Sequence, residues 1–311
     1  MAMKSIVGNE KTLSYLNKSV LEDNLSHAYL FCGPESVGKT KTAIALAKQL
    51  LCEGTNPSSC NDCPSCKLFV NGNHPDFFQL DHDPILVEEI RELVNSLELR
   101  PYRGRGKVAL LSHAEKLTTQ ALNAFLKTLE EPTSQTTIIL TTENKKNLLP
   151  TIVSRARLVN FCLVPEKQIF EHLNSGLGVK KDVAQSICGL AAGRIGVAIS
   201  LFEGESAIAD TMEQTTDFSK VYRSQDIFEK ISYANSVSRD KDSLISKLQA
   251  IELWARGELL GLSARDGNRD GNKEKINEMV ALMDNIAKSR ELIKQNVNAK
   301  LVIEGLLLGS L

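Results

Sequence analysis

The first half of the chain alternates short apolar runs with segments of helical period. The apolar runs cover 27–31, 107–111 and 137–142, and the helical repeats cover 11–22, 41–51, 83–99 and 121–131. Apolar runs of this length between amphipathic segments predict buried strands. Regular alternation of strands and helices predicts an α/β fold, in which a parallel sheet has helices on both faces.

A segment rich in cysteine, asparagine, proline and serine, 52–76, interrupts this alternation. It has neither a helical nor a strand period, so we expect an inserted module there. The second half of the chain is predicted to be helical. The predicted domains are a sheet domain at 1–163 with the cysteine module at 52–66, a small helical domain at 164–204 and a helical domain at 205–311.

A polar loop is expected at 263–275 within the last domain. Its stretch Asp266-x-Asn268-x-Asp270 copies the opening of a calcium-binding loop. Asn277, however, occupies the position of the terminal carboxylate that such a loop needs. The sequence therefore favours a solvated linker over a calcium site.

The composition is that of a soluble protein able to bury a core, with 311 residues, 42% hydrophobic and 24% charged. The formal net charge of -1 provides no global field that would attract nucleic acid. The chain has no run of eighteen apolar residues, and its start lacks the apolar core of a secretory signal. We expect a cytoplasmic protein without membrane contact, whose contacts with DNA are local or are made by partner chains.

One segment matches the phosphate-loop pattern G-x4-G-K-[ST] at every fixed position, and it lies between a predicted strand and a predicted helix. Its residues are Gly33, Pro34, Glu35, Ser36, Val37, Gly38, Lys39 and Thr40. Backbone N–H groups turned by the glycines, together with the positive end of the helix, favour a bound phosphate. Lys39 would neutralise phosphate oxygens and Thr40 would hold Mg²⁺. The predicted ligand is ATP or ADP with Mg²⁺.

Hydrolysis needs acidic residues at the end of a second strand, and the sequence lacks them there. The strand at 108–111 runs into Ser112 and His113, where a magnesium-binding aspartate and a water-polarising glutamate are wanted. Glu115 is too late in register to replace them simply. His113 has no evident nucleophile or orienting carboxylate, which favours a packed or solvent-facing histidine. The sequence predicts a site that binds nucleotide and cleaves it poorly.

Cys52, Cys60, Cys63 and Cys66 have the spacing of metal ligands. In a reducing compartment this spacing favours metal over disulfides. Four thiolates make a closed tetrahedral Zn²⁺ site, and closed sites are structural. The alternative is four free thiols in a loop. We predict structural zinc.

Several further segments resemble one family when they are taken together. They are Ser26–Phe31, the cysteine module, His74–Asp76, Ile90–Leu93, Ala124–Pro132, Leu148–Arg155 and Asn296–Leu308. Over nearly its whole length the chain resembles the clamp-loader subunits of bacterial DNA polymerase III, most closely those of the delta-prime type. The resemblance implies that the sheet domain is an AAA+ domain with a zinc-binding insert, that 164–204 is a lid, and that 205–311 is an all-α collar for oligomerisation.

The resemblance also implies a role for individual residues. Val7 and Gly8 correspond to the segment that lies against the adenine, and Thr142 corresponds to the first sensor of the γ-phosphate. Ser154-Arg155 matches a Ser-Arg-Cys motif, although the third residue here is alanine. The arginine of that motif reaches into the neighbouring subunit's ATP site, where its fork can pair phosphoryl charge.

The second sensor of the motor subunits is missing, because Gly196 stands where they carry an arginine. Arg194 lies two positions earlier, and we expect a helix to point it elsewhere. Both losses fit a stator-like subunit with no independent ATPase activity. It would supply Arg155 as an arginine finger in trans while the sliding clamp is loaded on primed DNA. The implied partners are motor subunits of the gamma/tau type, the delta subunit, the clamp and primed DNA.

Two alternatives remain open. An active gamma/tau-like ATPase motor predicts carboxylates near the phosphate loop. A zinc-dependent nucleic-acid-binding protein predicts DNA affinity of the isolated chain with a steep salt dependence, which the near-neutral charge disfavours.

Overall fold

The structure is a computed structural model. It describes residues 3–57, 60–82, 85–103, 106–131, 135–203, 215–238, 241–264, 269–295 and 297–309. The chain forms two compact units. The first is Met1–Ile169 with Arg194–Gly196, and the second is Phe170–Gly193 with Val197–Leu311. The division into three domains stays a prediction.

A five-stranded sheet is the centre of the first unit. Its strands are β1 (Ala28–Cys32), β2 (Phe77–Leu80), β3 (Lys107–Leu111), β4 (Thr136–Thr142) and β5 (Arg157–Asn160), in the order β2-β3-β4-β1-β5. Every pair of neighbouring strands is parallel. The carboxyl ends of β1 and β4 lie side by side, because Cys32 is in register with Thr142. The predicted parallel α/β architecture is confirmed.

Both faces of the sheet are covered, as its alternating side chains require. In β1, Ala28 and Leu30 enter one hydrophobic cluster, and Tyr29 and Phe31 enter the other. Two helices, α1 (Glu10–Leu21) and α2 (Lys39–Leu50), contribute to the cluster of Tyr29. Three others contribute to the cluster of Ala28, namely α4 (Val87–Glu98), α5 (Thr119–Glu130) and α6 (Pro150–Arg155).

The cysteine segment contains a helix that the sequence pattern did not predict. This helix, α3 (Pro64–Val70), begins after Cys63, whose side chain accepts a hydrogen bond from the backbone N–H of Cys66. Proline is at the first helical position, where its missing N–H costs nothing. The expectation of a segment without helical period is wrong here, because seven residues are too few to display one.

The described part of the second unit is helical, as predicted. Its helices include Lys181–Ala191, Ile227–Val237, Lys241–Ala264, Arg269–Lys294 and Ala299–Leu308. Residues 215–223 are also helical. The helices Glu166–Glu171 and Ile195–Glu203 each begin in the first unit and end in the second. The expected loop at 263–275 is wrong at its described residues, because Ala264 ends one helix and residues 269–275 lie in the next. Asp266 and Asn268 of the calcium-like stretch lie outside the described residues. Among the described helices, none has the length and apolarity to cross a membrane.

Candidate functional site

The predicted phosphate loop connects the carboxyl end of β1 to the amino end of α2. Gly33 donates its backbone N–H to the carbonyl oxygen of Thr142 at 3.2 Å, which fixes the start of the loop beside β4. A Cβ at Gly33 would lie 2.3 Å from the carbonyl oxygen of Phe161, so only glycine fits. Gly38 caps α2 with a φ of 98°, a conformation that favours glycine.

Lys39 is buried inside this loop, with 7% of its surface exposed. Its Nζ donates to the carbonyl oxygens of Gly33 at 2.6 Å and Pro34 at 2.7 Å. Burial lowers the pKa of Lys39, and the carboxylates of Glu143, Glu115 and Glu35 act in the opposite direction. An ammonium held inside a glycine-rich loop is placed to meet phosphate charge.

Thr142 is buried at the end of β4, directly beside the start of the loop. Its Oγ1 donates to the carbonyl oxygen of Asn144 at 3.2 Å and accepts the N–H of the same residue at 3.3 Å. These bonds fix the threonine hydroxyl at the carboxyl end of the sheet, where the phosphate loop begins. Its role as a sensor stays a prediction.

The segment expected to lie against the adenine is fixed to the chain that follows β5. Asn9 donates from Nδ2 to the carbonyl oxygen of Cys162 at 3.1 Å, and its Oδ1 accepts the N–H of Cys162 at 2.8 Å. A Cβ at Gly8 would lie 2.5 Å from Val164. Because Phe161 also lies against Gly33, one stretch of chain supports both Val7-Gly8 and the phosphate loop.

A group of titratable side chains near the loop was missed by sequence reasoning. His113, Glu115 and Glu143 have ligand atoms that all lie within 4.8 Å of one another. Nδ1 of His113 is 3.8 Å from Oε1 of Glu115. The expectation that His113 has no carboxylate partner is therefore wrong. The reason is local, because His113 adopts a φ of 53° and a short 3-10 turn at Ala114–Lys116 then brings Glu115 back.

Glu115 is held in its charged form. Burial raises the pKa of Glu115, but the neighbouring His113 and Thr142 side chains and nearby backbone N–H groups outweigh it and bring the pKa to about 2. The neighbouring carboxylate of Glu115 in turn raises the pKa of His113. The negative charges of Glu115 and Glu143 both raise the pKa of Lys39. Carboxylates therefore act on the phosphate loop, although none directly follows the end of β3.

Gly196 contacts the phosphate loop from a distant part of the sequence. Its backbone N–H donates to the carbonyl oxygen of Ser36 at 2.7 Å. A Cβ at this position would lie 3.0 Å from that oxygen. Arg194 is buried and precedes the helix, which begins at Ile195, so the premise that Arg194 lies within a helix is wrong.

Arg155 is the last residue of α6, and its side chain is 34% exposed. Nη1 donates to the carbonyl oxygen of Thr151 at 3.0 Å, one turn back along the same helix. Nη2 lies 2.5 Å from Oε1 of Glu130, the last residue of α5. The arginine is therefore a surface residue that makes an ion pair within its own subunit.

The four cysteines of the insert come together. The Sγ atoms of Cys52, Cys60, Cys63 and Cys66 lie within 4.8 Å of one another, and those of Cys52 and Cys63 are 3.9 Å apart. Zn–S bonds of about 2.3 Å in a tetrahedron place sulfur atoms about 3.8 Å apart. A Cβ at Gly54 would lie 2.8 Å from Sγ of Cys60, so glycine allows this close approach. The arrangement fits a metal ion.

One of these thiols is readily ionised. Burial raises the pKa of Cys63, but hydrogen bonds from the backbone N–H groups of Cys66 and Glu53 and from neighbouring thiols bring it to about 6. Burial raises the pKa of Cys52 and Cys66. Metal binding requires thiolates, so an ion would have to displace the protons of these two.

The His74-Pro-Asp76 motif attaches the cysteine module to the sheet. Nε2 of His74 is 2.8 Å from Oγ of Ser65 in α3. The carboxylate of Asp76 accepts the backbone N–H groups of Tyr102 at 2.7 Å and Arg103 at 2.9 Å. This motif, whose role the sequence did not reveal, connects α3 to the start of β2 and to the loop before β3.

The strand, the glycine-rich loop and the helix place the chain in the class of phosphate-loop proteins. A family model described as "DNA polymerase III, delta subunit" matches residues 8–164, about half of the chain. The chain therefore belongs to this family, as a delta-prime-type subunit of the bacterial DNA polymerase III clamp loader.

The chain is similar to curated DNA polymerase III subunits of both the delta' and the tau type. The chain is 41% identical over 135 residues to DNA polymerase III subunit delta' of Pseudomonas aeruginosa, covering 42% of this chain and 41% of that protein. It is 33% identical over 184 residues to subunit delta' of Bacillus subtilis, covering 58% and 54%. It is 30% identical over 275 residues to subunit tau of Escherichia coli, covering 84% and 43%. The chain spans about half the length of these relatives, or less.

Proposed function

We propose that this chain binds a nucleotide in the loop from Gly33 to Thr40 and supplies Arg155 to the ATP site of a neighbouring motor subunit. The observation that carries the proposal is the position of Arg155, a partly exposed arginine at the end of α6. In this proposal the AAA+ domain is 1–163, the lid is 164–204 and the collar is 205–311. Partners would be gamma/tau-type motors and a delta subunit, acting on the sliding clamp and primed DNA.

Nucleotide binding is supported by the geometry of the loop. Lys39 would pair β- and γ-phosphate oxygens, and Thr40 at the start of α2 would hold Mg²⁺. Val7-Gly8 would lie against the adenine, on the chain segment that also supports Gly33. Weak hydrolysis by this chain is supported by Ser112 and His113, which follow β3 where carboxylates are wanted.

Arg155 would act by electrostatic stabilisation in trans. Negative charge builds on the equatorial oxygens of a phosphoryl group during transfer, and a guanidinium fork can pair with two of them at once. A guanidinium is a permanent cation in proteins, so this step needs no proton transfer. The chemical step would take place on the neighbouring subunit, and this chain would assist it.

The four cysteines would hold a structural Zn²⁺. A closed set of four thiolates leaves no open position for a substrate, so the ion would stabilise the insert and carry out no chemistry. The hydrogen bonds of His74 and Asp76 attach the insert to β2 and to the loop before β3, so an ordered insert would also stabilise these elements.

A second candidate function, an active motor of the same family, is favoured by one observation. Glu115 and Glu143 place two carboxylates where they act on Lys39. These carboxylates are what the motor hypothesis requires near the phosphate loop. In that case Glu115 would take the place of the carboxylate missing from the strand end.

ATP turnover by the reconstituted loader, with clamp and primed DNA, distinguishes the two candidates. We expect Arg155→Ala to lower turnover at least about tenfold, because an arginine finger contributes strongly to phosphoryl transfer. Lys39→Ala is expected to change turnover less than about twofold, because hydrolysis takes place on the neighbour. Size-exclusion chromatography of each complex checks that assembly is intact.

The opposite pattern identifies a motor. A collapse of turnover with Lys39→Ala and with Glu115→Gln, while Arg155→Ala is nearly silent, would show that this subunit hydrolyses ATP itself.

A further inference from the structure

We propose that Glu130 is a positioning residue, which holds Arg155 against its own subunit until a neighbouring ATP site takes the arginine. We call this ion pair of Glu130 and Arg155 the latch. The inference rests on the proposed function, since it concerns how the arginine finger is made available. The inference adds a residue, Glu130, whose substitution is expected to raise ATP turnover, whereas substitution of Arg155 is expected to lower it.

In the latch, both terminal nitrogens of the guanidinium bind atoms of the same subunit. Nη2 lies 2.5 Å from Oε1 of Glu130. Nη1 donates to the carbonyl oxygen of Thr151 at 3.0 Å and is 3.4 Å from Oγ of Ser154. These bonds fold the side chain back along α6, so it cannot extend to another subunit while they hold.

Within the part of the chain that the structure describes, Glu130 makes no ion pair besides the one with Arg155. It is the last residue of α5, where the helix dipole disfavours a carboxylate. Its side chain is 47% exposed, so it fills no core position. The positive charge of Arg155, which comes from the end of a different helix, offsets the unfavourable dipole.

The latch is weak enough to open. Both side chains are substantially exposed, at 34% and 47%, so water screens their attraction. An ion pair of this kind shifts the equilibrium between held and free arginine by at most about fivefold. A phosphoryl group carries more charge than a carboxylate and accepts two parallel hydrogen bonds, so it can displace Glu130.

The chain offers a matched control one residue away. Glu131 is exposed and lies just beyond the end of α5. Its backbone N–H bonds the carbonyl oxygen of Lys127, and no ion pair of its carboxylate occurs among the described residues. Glu130→Gln and Glu131→Gln therefore remove the same charge from neighbouring positions, and only the first removes the latch.

The test is steady-state ATP turnover of the reconstituted loader, with clamp and primed DNA, for five forms of this chain. The forms are wild type, Glu130→Gln, Glu131→Gln, Arg155→Ala and the double variant Glu130→Gln/Arg155→Ala. We expect Glu130→Gln to raise turnover about twofold to fivefold, because the free arginine becomes more populated. Glu131→Gln is expected to match wild type, and the double variant to match Arg155→Ala.

Structural damage would not raise the turnover of Glu130→Gln, and it would not make that rise depend on Arg155. Unchanged or lower turnover with Glu130→Gln, while Arg155→Ala is inactive, would overturn the latch and leave the arginine finger standing. An equal rise in turnover with Glu131→Gln would show that the effect comes from surface charge in general. That result would also overturn the latch. If Arg155→Ala retains full turnover, the proposed function itself fails.

Discussion

At the scale of single residues, the site depends on side chains that lie close in space but not at the expected sequence positions. The acidic group at the phosphate loop comes from Glu115 and Glu143, which follow two different strands. His113 adopts a left-handed conformation at the end of β3, and this single turn decides where Glu115 lies. The carboxylate of Glu115 therefore reaches the phosphate loop because the backbone turns at His113. It does not follow directly from the end of the strand.

This arrangement predicts a pH-dependent contribution to stability. The folded-state pKa of Glu115 is about 2, below its ordinary value of 4.5. Its contribution is therefore complete above about pH 4.5 and is lost as the pH falls towards 2. We expect Glu115→Gln to lower the free energy of unfolding by about 1–3 kcal/mol at pH 6 and by little near pH 2. Urea denaturation across this range measures the difference.

Two comparisons make the pH result specific. Glu131→Gln removes an exposed carboxylate outside the group and is expected to cost little at any pH. The pKa of His113 is raised, so its stabilising contribution has the opposite pH dependence: it is present at low pH and is lost as the pH rises above 6.5. A penalty for Glu115→Gln that stays constant from pH 6 to pH 2 would contradict a paired, ionised Glu115.

At the scale of elements, the sequence revealed the central strands and missed the edges. β1, β3 and β4 are apolar on both faces because both faces are covered, and such runs are visible in a sequence. β2 and β5 are four residues long and carry exposed positions, for example Arg157 and Asn160. A short half-exposed strand has too few residues to show a period.

The candidate site divides in the same way. The phosphate loop and the cysteine quartet could be predicted, because each is a local motif whose spacing encodes its geometry. The contact between Gly196 and Ser36 could not, because it joins distant parts of the sequence through tertiary structure. The pairing of Glu130 with Arg155 likewise depends on how two helix ends meet.

The cysteine module gives a prediction at this scale. Each wild-type chain is expected to contain one zinc ion, and Cys60→Ser is expected to contain less than about a fifth of that, because structural zinc requires four ligands. Inductively coupled plasma mass spectrometry of purified protein measures the content. Hydrogen exchange is expected to speed up in α3 of the variant, since metal binding and folding are coupled.

Cys162→Ser is the matched control, because Cys162 is exposed and lies outside the cluster. Its metal content should equal that of wild type. Metal-free wild-type protein, or full zinc retention by Cys60→Ser, would rule out the four-cysteine site.

At the scale of the whole molecule, the two units have separate hydrophobic cores. The sheet clusters belong to the first unit, and a helical cluster between Phe218 and Leu307 belongs to the second. Each unit therefore has its own apolar burial, which is the main source of stability for a folded unit.

Separate cores predict separate responses to a cavity. Leu248→Ala removes a fully buried side chain from the second unit and is expected to cost about 2–5 kcal/mol. Hydrogen exchange should speed up in the helices of that unit and stay unchanged in β1, β3 and β4. Leu110→Ala, at a fully buried position of the sheet, should give the reverse pattern. Equal loss of protection in both units would show that they unfold together.

The hydrogen bond between Gly196 and Ser36 has a consequence for substitution at position 196. A Cβ there would lie 3.0 Å from the carbonyl oxygen of Ser36, so even alanine would require the phosphate loop to shift. A long side chain introduced at this position would therefore disturb the loop that it contacts. Any variant that adds a charged group here needs a second, compensating change in the loop.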